Sequence, residues 1–154
     1  MPTMTAELDE LENALTALFR WGNLPKVTER FMARAGVRLD RAAYGVLGRL
    51  DRSGRMRLSE LAEELGVDVS TASRQVYRLE RDGLVRRRAH PGDRRAALLE
   101  LTPEGRRALA RVHRARRAII GELFSGWPVE DKRTLARLLD RLARELREFA
   151  GGRQ

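Results

Sequence analysis

The sequence predicts a mostly α-helical chain with one small β-hairpin, and three observations lead to this fold class. Apolar residues recur at three- and four-residue spacing over most of the 154 residues. Two short amphipathic segments, 59–65 and 69–82, are joined by a glycine-containing turn of three residues, which is typical of a helix-turn-helix. Two strand-like runs flank Pro91-Gly92, as in a β-hairpin. We therefore expect a winged helix-turn-helix core flanked by N- and C-terminal helices that form a dimer interface.

The helix breaks predict the organisation of the chain. Gly22, Asn23 and Pro25 interrupt the first helical pattern, and Ser125-Gly126 with Pro128 separates the last two helices. We expect four segments, which are N-terminal dimerisation helices over 1–38, a winged helix-turn-helix over 39–102, C-terminal dimerisation helices over 103–150 and a frayed tail over 151–154.

Cap residues predict where the central elements begin. Asp40 is placed to cap the N-terminus of the helix that ends at Ser53-Gly54. Ser59 is placed to cap the N-terminus of the helix that ends at Gly66. Residues 55–58 could form one short strand. Thr102 is a suitable N-cap for a long helix with Pro103 at its first position.

The helix over 69–82 is the most informative segment. At 100° per residue, Val69, Ala72, Val76 and Leu79 fall in one sector and should face the core. The opposite side carries hydroxyls and guanidinium groups without an acid, and its N-terminus should offer free N–H groups to a phosphate. The expected DNA contacts on this helix are Ser70, Thr71, Arg74, Tyr77, Arg78 and Arg81, with Ser73 and Gln75 on the flanks.

These side chains suit the major groove of DNA. Arg can bind guanine through two hydrogen bonds, and hydroxyls reach phosphates or base edges. The alternative is an ordinary solvated arginine face, which becomes less favoured because a capped helix and a glycine turn precede it.

The hairpin, or wing, is the second indication of DNA binding. Five arginines stand against Asp93 alone between Leu84 and Ala97. An arginine at such a tip can enter a narrow minor groove, so we expect contacts from Arg88, His90, Arg94 and Arg95. Asp93 is expected to pair with Arg95 and hold the tip rigid. The alternative for Arg86 to Arg88 is that they cover the exposed face of the hairpin.

Composition narrows the class of protein. The net charge is +9, with 29 Arg and two Lys, and favours a polyanionic partner, nucleic acid first and an anionic membrane second. The apolar share of 42% excludes wholesale disorder, and the absence of Cys excludes disulfides and thiolate chemistry. No apolar run approaches a membrane span, and the acidic N-terminus is unlike a signal peptide. We expect a soluble cytoplasmic protein that joins the nucleoid when bound to DNA.

Enzyme chemistry is not indicated. His90 and His113 are far apart in sequence, and Glu63 and Glu64 point to different sides of their helix. We find no cluster of His, Asp or Glu with the spacing of metal ligands and no glycine-rich phosphate loop. The sequence therefore predicts no enzyme activity, no metal and no cofactor.

Five motifs carry a family resemblance. They are Leu58-Ser59-Glu60-Leu61-Ala62, Ser70-Thr71-Ala72-Ser73-Arg74, Leu79-Glu80-Arg81-Asp82-Gly83-Leu84-Val85, Pro91-Gly92-Asp93-Arg94-Arg95-Ala96 and Leu101-Thr102-Pro103-Glu104-Gly105. In order and spacing they resemble the MarR family of winged-helix transcription regulators over residues 39 to about 110. The resemblance implies a homodimer on pseudo-palindromic double-stranded DNA, released in many members by a small aromatic or phenolic ligand. The chain departs from the family pattern at residues 22–25, which interrupt a usually continuous first helix.

Two further sets of residues are expected, one on the terminal helices and one near their junction with the reading head. Their apolar stripes exceed what the core can cover, so a dimer interface is expected at Leu8, Leu11, Leu15, Ile120, Leu135, Leu139, Leu142 and Leu146. The alternative is a self-contained helical subdomain in a monomer. A ligand pocket is expected at Trp21, Phe31, Met32 and Tyr44, and the alternative for each is core packing.

The sequence thus predicts a dimeric DNA-binding repressor. Two other classes remain open. One is a sequence-independent architectural DNA-binding protein, and the other is a protein-interaction module whose basic face binds an acidic partner. Specific affinity that exceeds non-specific affinity by roughly 10³-fold or more would identify the regulator.

Overall fold

The computed structural model describes residues 4–22 and 25–151, with side chains at all of these positions except 4, 5, 21, 22, 25, 94 and 95. Seven helices and three strands occur within these ranges. In chain order they are α1 (Met4–Gly22), α2 (Pro25–Ala35), α3 (Arg41–Ser53), β1 (Met56–Arg57), α4 (Leu58–Leu65), α5 (Val69–Arg81), β2 (Val85–His90), β3 (Asp93–Leu101), α6 (Pro103–Leu123) and α7 (Val129–Gly151). The mostly helical fold with a small β-wing is confirmed.

The chain divides into two compact units, and the division falls inside α6, between Arg116 and Arg117. The first unit holds the helix-turn-helix, formed by α4 and α5, and the wing, formed by β2 and β3 with their turn. Its core is apolar and continuous. The largest fully buried side chains are Leu47, Leu61, Leu79, Leu99, Leu101, Val46, Val76, Val85 and Val112.

The three strands form one antiparallel sheet in the order β1-β3-β2. Met56 pairs with Leu99 on one side of β3, and Arg86 pairs with Glu100 on the other. The pairing of β2 with β3 is regular as far as Ala89 and Ala97 and then shifts, because His90 pairs with Asp93. Three residues of β3, 94–96, are therefore extra at the tip of the wing, as in a bulge.

Most of the predicted caps are confirmed. The Asp40 carboxylate accepts the N–H of Ala43 at 2.7 Å, and Gly66 ends α4 in the left-handed conformation with φ of 67°. The cap expected at Ser59 is wrong. The helix already begins at Leu58, because the Glu60 carboxylate reaches back to accept the N–H of Arg57 at 2.7 Å.

A close junction fixes the base of the wing to the start of α6. The Thr102 hydroxyl donates to the carbonyl of Gly83 at 2.6 Å and accepts the N–H of Gly105 at 3.0 Å, as predicted for an N-cap. The Thr102 N–H donates to the carbonyl of Leu84 at 3.0 Å. A β-carbon at Gly105 would lie 2.1 Å from that same carbonyl oxygen, so only glycine fits there.

The second unit consists of the end of α6 and all of α7. Phe124 and Trp127 pack edge to face in the connection between these helices, with ring centroids 5.0 Å apart. No residue of α7 is buried in the single chain. Within the described ranges, no helix is both long and apolar enough to cross a membrane.

Candidate nucleic-acid interface

Helix α5 presents the predicted polar face. Ala72, Val76 and Leu79 are buried in the core, whereas Ser70, Arg74, Tyr77, Arg78 and Arg81 are exposed. Thr71, Ser73 and Gln75 are half-buried, which suits positions at or near the edge of this face. We call Ser70, Thr71, Arg74, Tyr77, Arg78 and Arg81 the front face of α5.

The expectation that Val69 faces the core is wrong, since 51% of this residue is exposed. Val69 is the first residue of α5 and lies one turn before Ala72 and Ser73. The apolar contact surface of α5 begins only at Ala72. A helical wheel cannot reveal this, because it does not show where along the helix axis the core ends.

Asp68 organises the first turn of α5. One carboxylate oxygen, Oδ1, accepts the N–H of Thr71 at 2.7 Å and also the Ser70 hydroxyl. The other, Oδ2, accepts the Thr71 hydroxyl at 2.7 Å. The Thr71 hydroxyl oxygen in turn accepts Nη2 of Arg74 at 3.1 Å. These hydrogen bonds connect three residues of the proposed DNA contact set to a single carboxylate.

The Asp68 cap corrects one expectation. We predicted free N–H groups at the start of α5 for a phosphate, but the Thr71 N–H is occupied by Asp68. Hydrogen bonds hold the pKa of Asp68 far below its ordinary value. The largest effect comes from the Ser70 hydroxyl, followed by the Thr71 hydroxyl and the Thr71 N–H. The first turn therefore carries a negative charge where a phosphate was expected.

Glu100 organises the base of the wing. Its carboxylate accepts Nε of Arg86 at 2.6 Å, Nε of Arg88 at 2.9 Å and Nε of Arg55 at 2.5 Å. The side chain of Glu100 is only 9% exposed beneath these arginines. Arg88 first, followed by Arg86 and Arg55, lowers the pKa of Glu100 to about 2 despite its burial. We call these four residues the Glu100 cluster.

The Glu100 cluster changes the interpretation of the wing charge. Arg86 and Arg88 are held by Glu100, and Arg87 is held by Glu80 of α5 at 2.9 Å. The count of arginines against Asp93 alone overlooked both glutamates, which lie just outside the stretch that was counted. Arg88 stays half-exposed and is bound through Nε, so it remains a candidate for DNA contact.

At the tip of the wing, His90 stabilises the turn. Its Nδ1 accepts the N–H of Gly92 at 3.0 Å. Asp93 is exposed and starts β3. The side chains of Arg94 and Arg95 lie outside the described residues, so the expected pairing of Asp93 with Arg95 stays a prediction. The irregular register at 94–96 means that simple alternation of side chains does not apply here.

Three of the predicted pocket residues line one cavity of about 200 Å³ in the first unit. Phe31, Met32 and Tyr44 contribute to its wall, and the side chain of Trp21 lies outside the described residues. Met32 also belongs to the core, with 5% exposure, so packing and lining are compatible roles. The cavity also holds Arg41 and Arg116.

Tyr44 connects this cavity to α6. Its hydroxyl accepts a hydrogen bond from Nη1 of Arg116 at 3.2 Å. Its ring packs edge to face against the His113 ring, with the ring centroids 6.3 Å apart. Both partners of Tyr44 lie in the part of α6 that belongs to the first unit. The ring contact with Tyr44 gives the His113 imidazole a packing partner.

The residues predicted for a dimer interface are largely uncovered in the single chain. Leu8, Leu11, Ile120, Leu139 and Leu146 are exposed, and Leu15, Leu135 and Leu142 are half-buried. Within the second unit, Ile120, Leu135 and Leu139 line an apolar groove of about 400 Å³. Large apolar side chains thus remain in contact with solvent on each unit, which is typical of surfaces that bind a partner.

The sequence interpretation missed two residues, Asp68 and Glu100. Asp68 could have been found, because Asp directly before a helix is a favoured N-cap. Glu100 could have been found only with the strand register, which sets it opposite Arg86. Among the described residues, no group of three or more His, Asp or Glu side chains could hold a metal ion.

The structure combines a helix-turn-helix, a basic wing and a second helix whose exposed face carries arginines and hydroxyls. These features define a winged helix-turn-helix protein of the DNA-binding class.

Similarity to known proteins supports this class. The sequence profile of the MarR family matches residues 39–97. The chain is 34% identical over 104 residues to the uncharacterized HTH-type transcriptional regulator YxaD of Bacillus subtilis. The aligned residues make up 68% of this chain and 73% of YxaD.

Two other proteins extend the comparison. The HTH-type transcriptional repressor MdtR of Bacillus subtilis is 31% identical over 136 residues, which is 88% of this chain and 85% of the repressor. A MarR family protein from Bacillus stearothermophilus shares the fold with a TM-score of 0.80 at 22% identity, over 94% of this chain and 98% of that structure. The chain belongs to the MarR family, and it is therefore a DNA-binding transcriptional regulator.

Proposed function

We propose that the chain is a sequence-specific repressor that binds a pseudo-palindromic operator as a homodimer and is released by a small aromatic or phenolic ligand. The observation that carries the proposal is the front face of α5. This face combines three exposed arginines with hydroxyls, and its buried side anchors the helix in the core. Such a face can read base edges in the major groove.

The wing supplies the second contact. Arg94 and Arg95 lie at its tip, beside the turn that His90 holds, and an arginine at such a position can enter the flanking minor groove. The arginines at the base of the wing are held by Glu100 and Glu80, so their role is to stiffen the wing more than to add charge. A helix anchored in the core and a wing held at its base by ion pairs support base-specific binding over architectural binding.

The dimer proposal rests on the exposed apolar stripes of α1 and α7. Residues such as Leu11 and Leu139 are exposed in the single chain, and a second copy would remove them from water. A dimer would also present two copies of α5 to two half-sites, which is why a pseudo-palindrome is expected.

The ligand proposal rests on the cavity beside Tyr44. Phe31 and Met32 supply an apolar wall, and Arg41, Arg116 and the Tyr44 hydroxyl supply polar groups. Apolar walls with a few polar groups are typical of small-molecule sites. The relative MdtR is named as a repressor, which supports repression over activation.

The test is selection of binding sites from genomic DNA with the purified protein. A regulator should enrich one inverted repeat whose half-sites lie one helical turn apart. A selection that enriches no common sequence would favour the architectural class. Aromatic carboxylates and phenols added to the protein–operator complex should then release the DNA, and a Tyr44→Ala variant should release it less readily.

A further inference from the structure

Asp68 fixes the hydrogen-bonding polarity of the first turn of α5. Resting on the proposed function, we propose that Ser70 and Thr71 face the operator as hydrogen-bond acceptors and select bases that carry an amino group, adenine or cytosine. The positions of the two hydroxyl protons determine which bases this end of the helix can prefer.

Both hydroxyl protons are already used within the protein. The Ser70 hydroxyl donates to Oδ1 of Asp68, and the Thr71 hydroxyl donates to Oδ2 at 2.7 Å. A hydroxyl has one proton and two lone pairs, so a donated proton leaves only acceptor capacity. Thr71 commits one of these lone pairs to Nη2 of Arg74 at 3.1 Å. Ser70 therefore keeps two lone pairs for other partners, and Thr71 keeps one.

The charge of Asp68 holds this arrangement in place. The hydrogen bonds from Ser70 and Thr71 keep its pKa far below the ordinary value, so the carboxylate stays ionised near neutral pH and continues to attract both protons. An exposed carboxylate with two hydroxyls that can only accept is a poor site for a phosphate, which also only accepts. The start of α5 should therefore face bases instead of the sugar–phosphate backbone.

The major groove offers two kinds of partner for such a surface. Adenine presents its N6 amino group and cytosine its N4 amino group, whereas guanine and thymine present carbonyl oxygens at the corresponding positions. Further along α5, Arg74 and Arg78 present only donors, which suit guanine. The front face is thus polarised from acceptors at its N-terminal end to donors at its centre. We expect a half-site with adenine or cytosine next to guanine.

The first experiment is selection of binding sites from a random duplex library with the full-length protein and its Ser70→Ala and Thr71→Val variants. Each variant removes a hydroxyl and should relax the preference at the base that this hydroxyl meets. We expect the relaxed positions to hold adenine or cytosine in the wild-type site. Replacing such an adenine with purine, which lacks only the amino group, should weaken wild-type binding by about tenfold and the matching variant far less.

The second experiment reverses the polarity with Asp68→Asn. Asn is as good an N-cap as Asp, so α5 should remain folded. The amide oxygen can still accept from Ser70 and the Thr71 N–H, but the amide nitrogen donates where Oδ2 accepted. The Thr71 hydroxyl proton is then free to point outward, and the preference at its base should shift towards guanine or thymine.

Asp40→Asn is the matched control. Asp40 also caps a helix through a backbone N–H at 2.7 Å, and within the described part of the chain no hydroxyl donates to it. The control changes charge by the same amount and should leave the selected sequence unchanged. If Asp68→Asn tightens binding to all DNA without shifting any base preference, the carboxylate acts by charge alone and the inference is overturned.

The outcomes separate the inference from the function on which it rests. A wild-type selection without a preferred sequence would overturn the proposed repressor and the inference with it. A clear operator whose Ser70- and Thr71-dependent positions hold guanine or thymine would overturn the inference alone. A clear operator with adenine or cytosine there, shifted by Asp68→Asn and not by Asp40→Asn, would establish it.

Discussion

Arg88 donates through Nε to the carboxylate of Glu100 at 2.9 Å, on the outer face of the wing. Arg86 and Arg55 donate to the same carboxylate, so one buried acid gathers three arginines from both sides of β3. Without Glu100, three like charges would stand together at the base of the wing. The arginines of the Glu100 cluster therefore stabilise the base of the wing, although in the sequence they look like a charged patch.

Glu100→Gln should therefore destabilise the protein by about 1–2 kcal/mol, since charged hydrogen bonds are lost while the exposed arginines remain partly screened by solvent. The measurement is the free energy of unfolding in urea. Arg107→Gln is a suitable control, because it breaks an exposed ion pair with Glu104 and should cost little. If Glu100→Gln and the wild type have equal free energies of unfolding at pH 7, the Glu100 cluster does not stabilise the fold.

The same cluster has a defined pH dependence. The pKa of Glu100 falls from an ordinary 4.5 to about 2 in the folded protein. A carboxyl with a lowered folded pKa stabilises the fold above its unfolded pKa, and that contribution disappears as the pH falls through the folded pKa. The stability difference between the wild type and Glu100→Gln should be constant above pH 4.5 and shrink between pH 4.5 and about 2. A difference that grows on acidification would contradict this assignment.

Gly105→Ala should be disruptive although it adds only one methyl group. The new β-carbon would meet the Leu84 carbonyl oxygen at 2.1 Å, and backbone on both sides leaves little room to yield. We expect a loss of about 1–3 kcal/mol and weaker DNA binding, because Leu84 joins α5 to the wing. Gly48→Ala, inside α3, would meet only the end of the flexible Arg52 side chain, at 3.6 Å, and should be neutral or slightly stabilising. Similar effects of the two substitutions would mean that the junction is not close-packed.

The sequence predicted the elements of this fold well because their determinants are local. The caps at Asp40 and Thr102, the break at Gly66 and the apolar spacing of α5 each depend on residues within a few positions of one another. The wrong cap at Ser59 and the wrong burial of Val69 are errors at helix ends, where the competing contacts of Glu60 and the limit of the core decide the outcome.

The candidate site was predicted less completely because its organising residues act over distance. Arg55 and Glu100 are 45 positions apart, and only the sheet register brings them together. Arg87 similarly reaches Glu80 on another element. Counting charges in a window of sequence therefore overestimated the free positive charge of the wing. The exposure of the front face of α5 depends on one helix alone and agrees with the structure, whereas its contact with DNA stays a prediction.

Leu139→Glu should give a folded monomer. Leu139 is 43% exposed in the single chain and lines the apolar groove of the second unit, so the substitution should spare the fold of the chain. In a dimer interface, however, an unpaired buried charge is very costly. Light scattering should report a monomer and DNA affinity should fall steeply. Arg137→Glu, at an exposed position on the same helix, is the control and should remain dimeric. A dimeric Leu139→Glu protein with normal binding would place the interface elsewhere.

Asp93→Ala tests whether the wing acts by shape or by charge. Charge alone predicts tighter binding to all DNA, because a negative group is removed. If Asp93 orders the tip of the wing in the free protein, the tip of the variant becomes ordered only on binding DNA. This ordering should cost about 0.5–1.5 kcal/mol of binding free energy per long side chain. Repulsion between exposed charges is screened at about 0.15 M salt, so we expect weaker binding to the operator and equal or slightly tighter binding to random DNA. Tighter binding to both DNAs at two salt concentrations would leave the wing as a charged patch.

The central claim, that α5 reads bases, is tested most directly by the ratio of affinities for the selected operator and for a scrambled duplex, measured with the wild type, Arg74→Ala and Arg78→Ala at one salt concentration. The wild-type ratio should be roughly 10³ or more. Each variant should lose about 1–3 kcal/mol on the operator, keep its affinity for scrambled DNA and relax the preference at one base. A wild-type ratio near one, or equal losses on both duplexes, would show that these arginines contact only phosphates and would contradict base reading by α5.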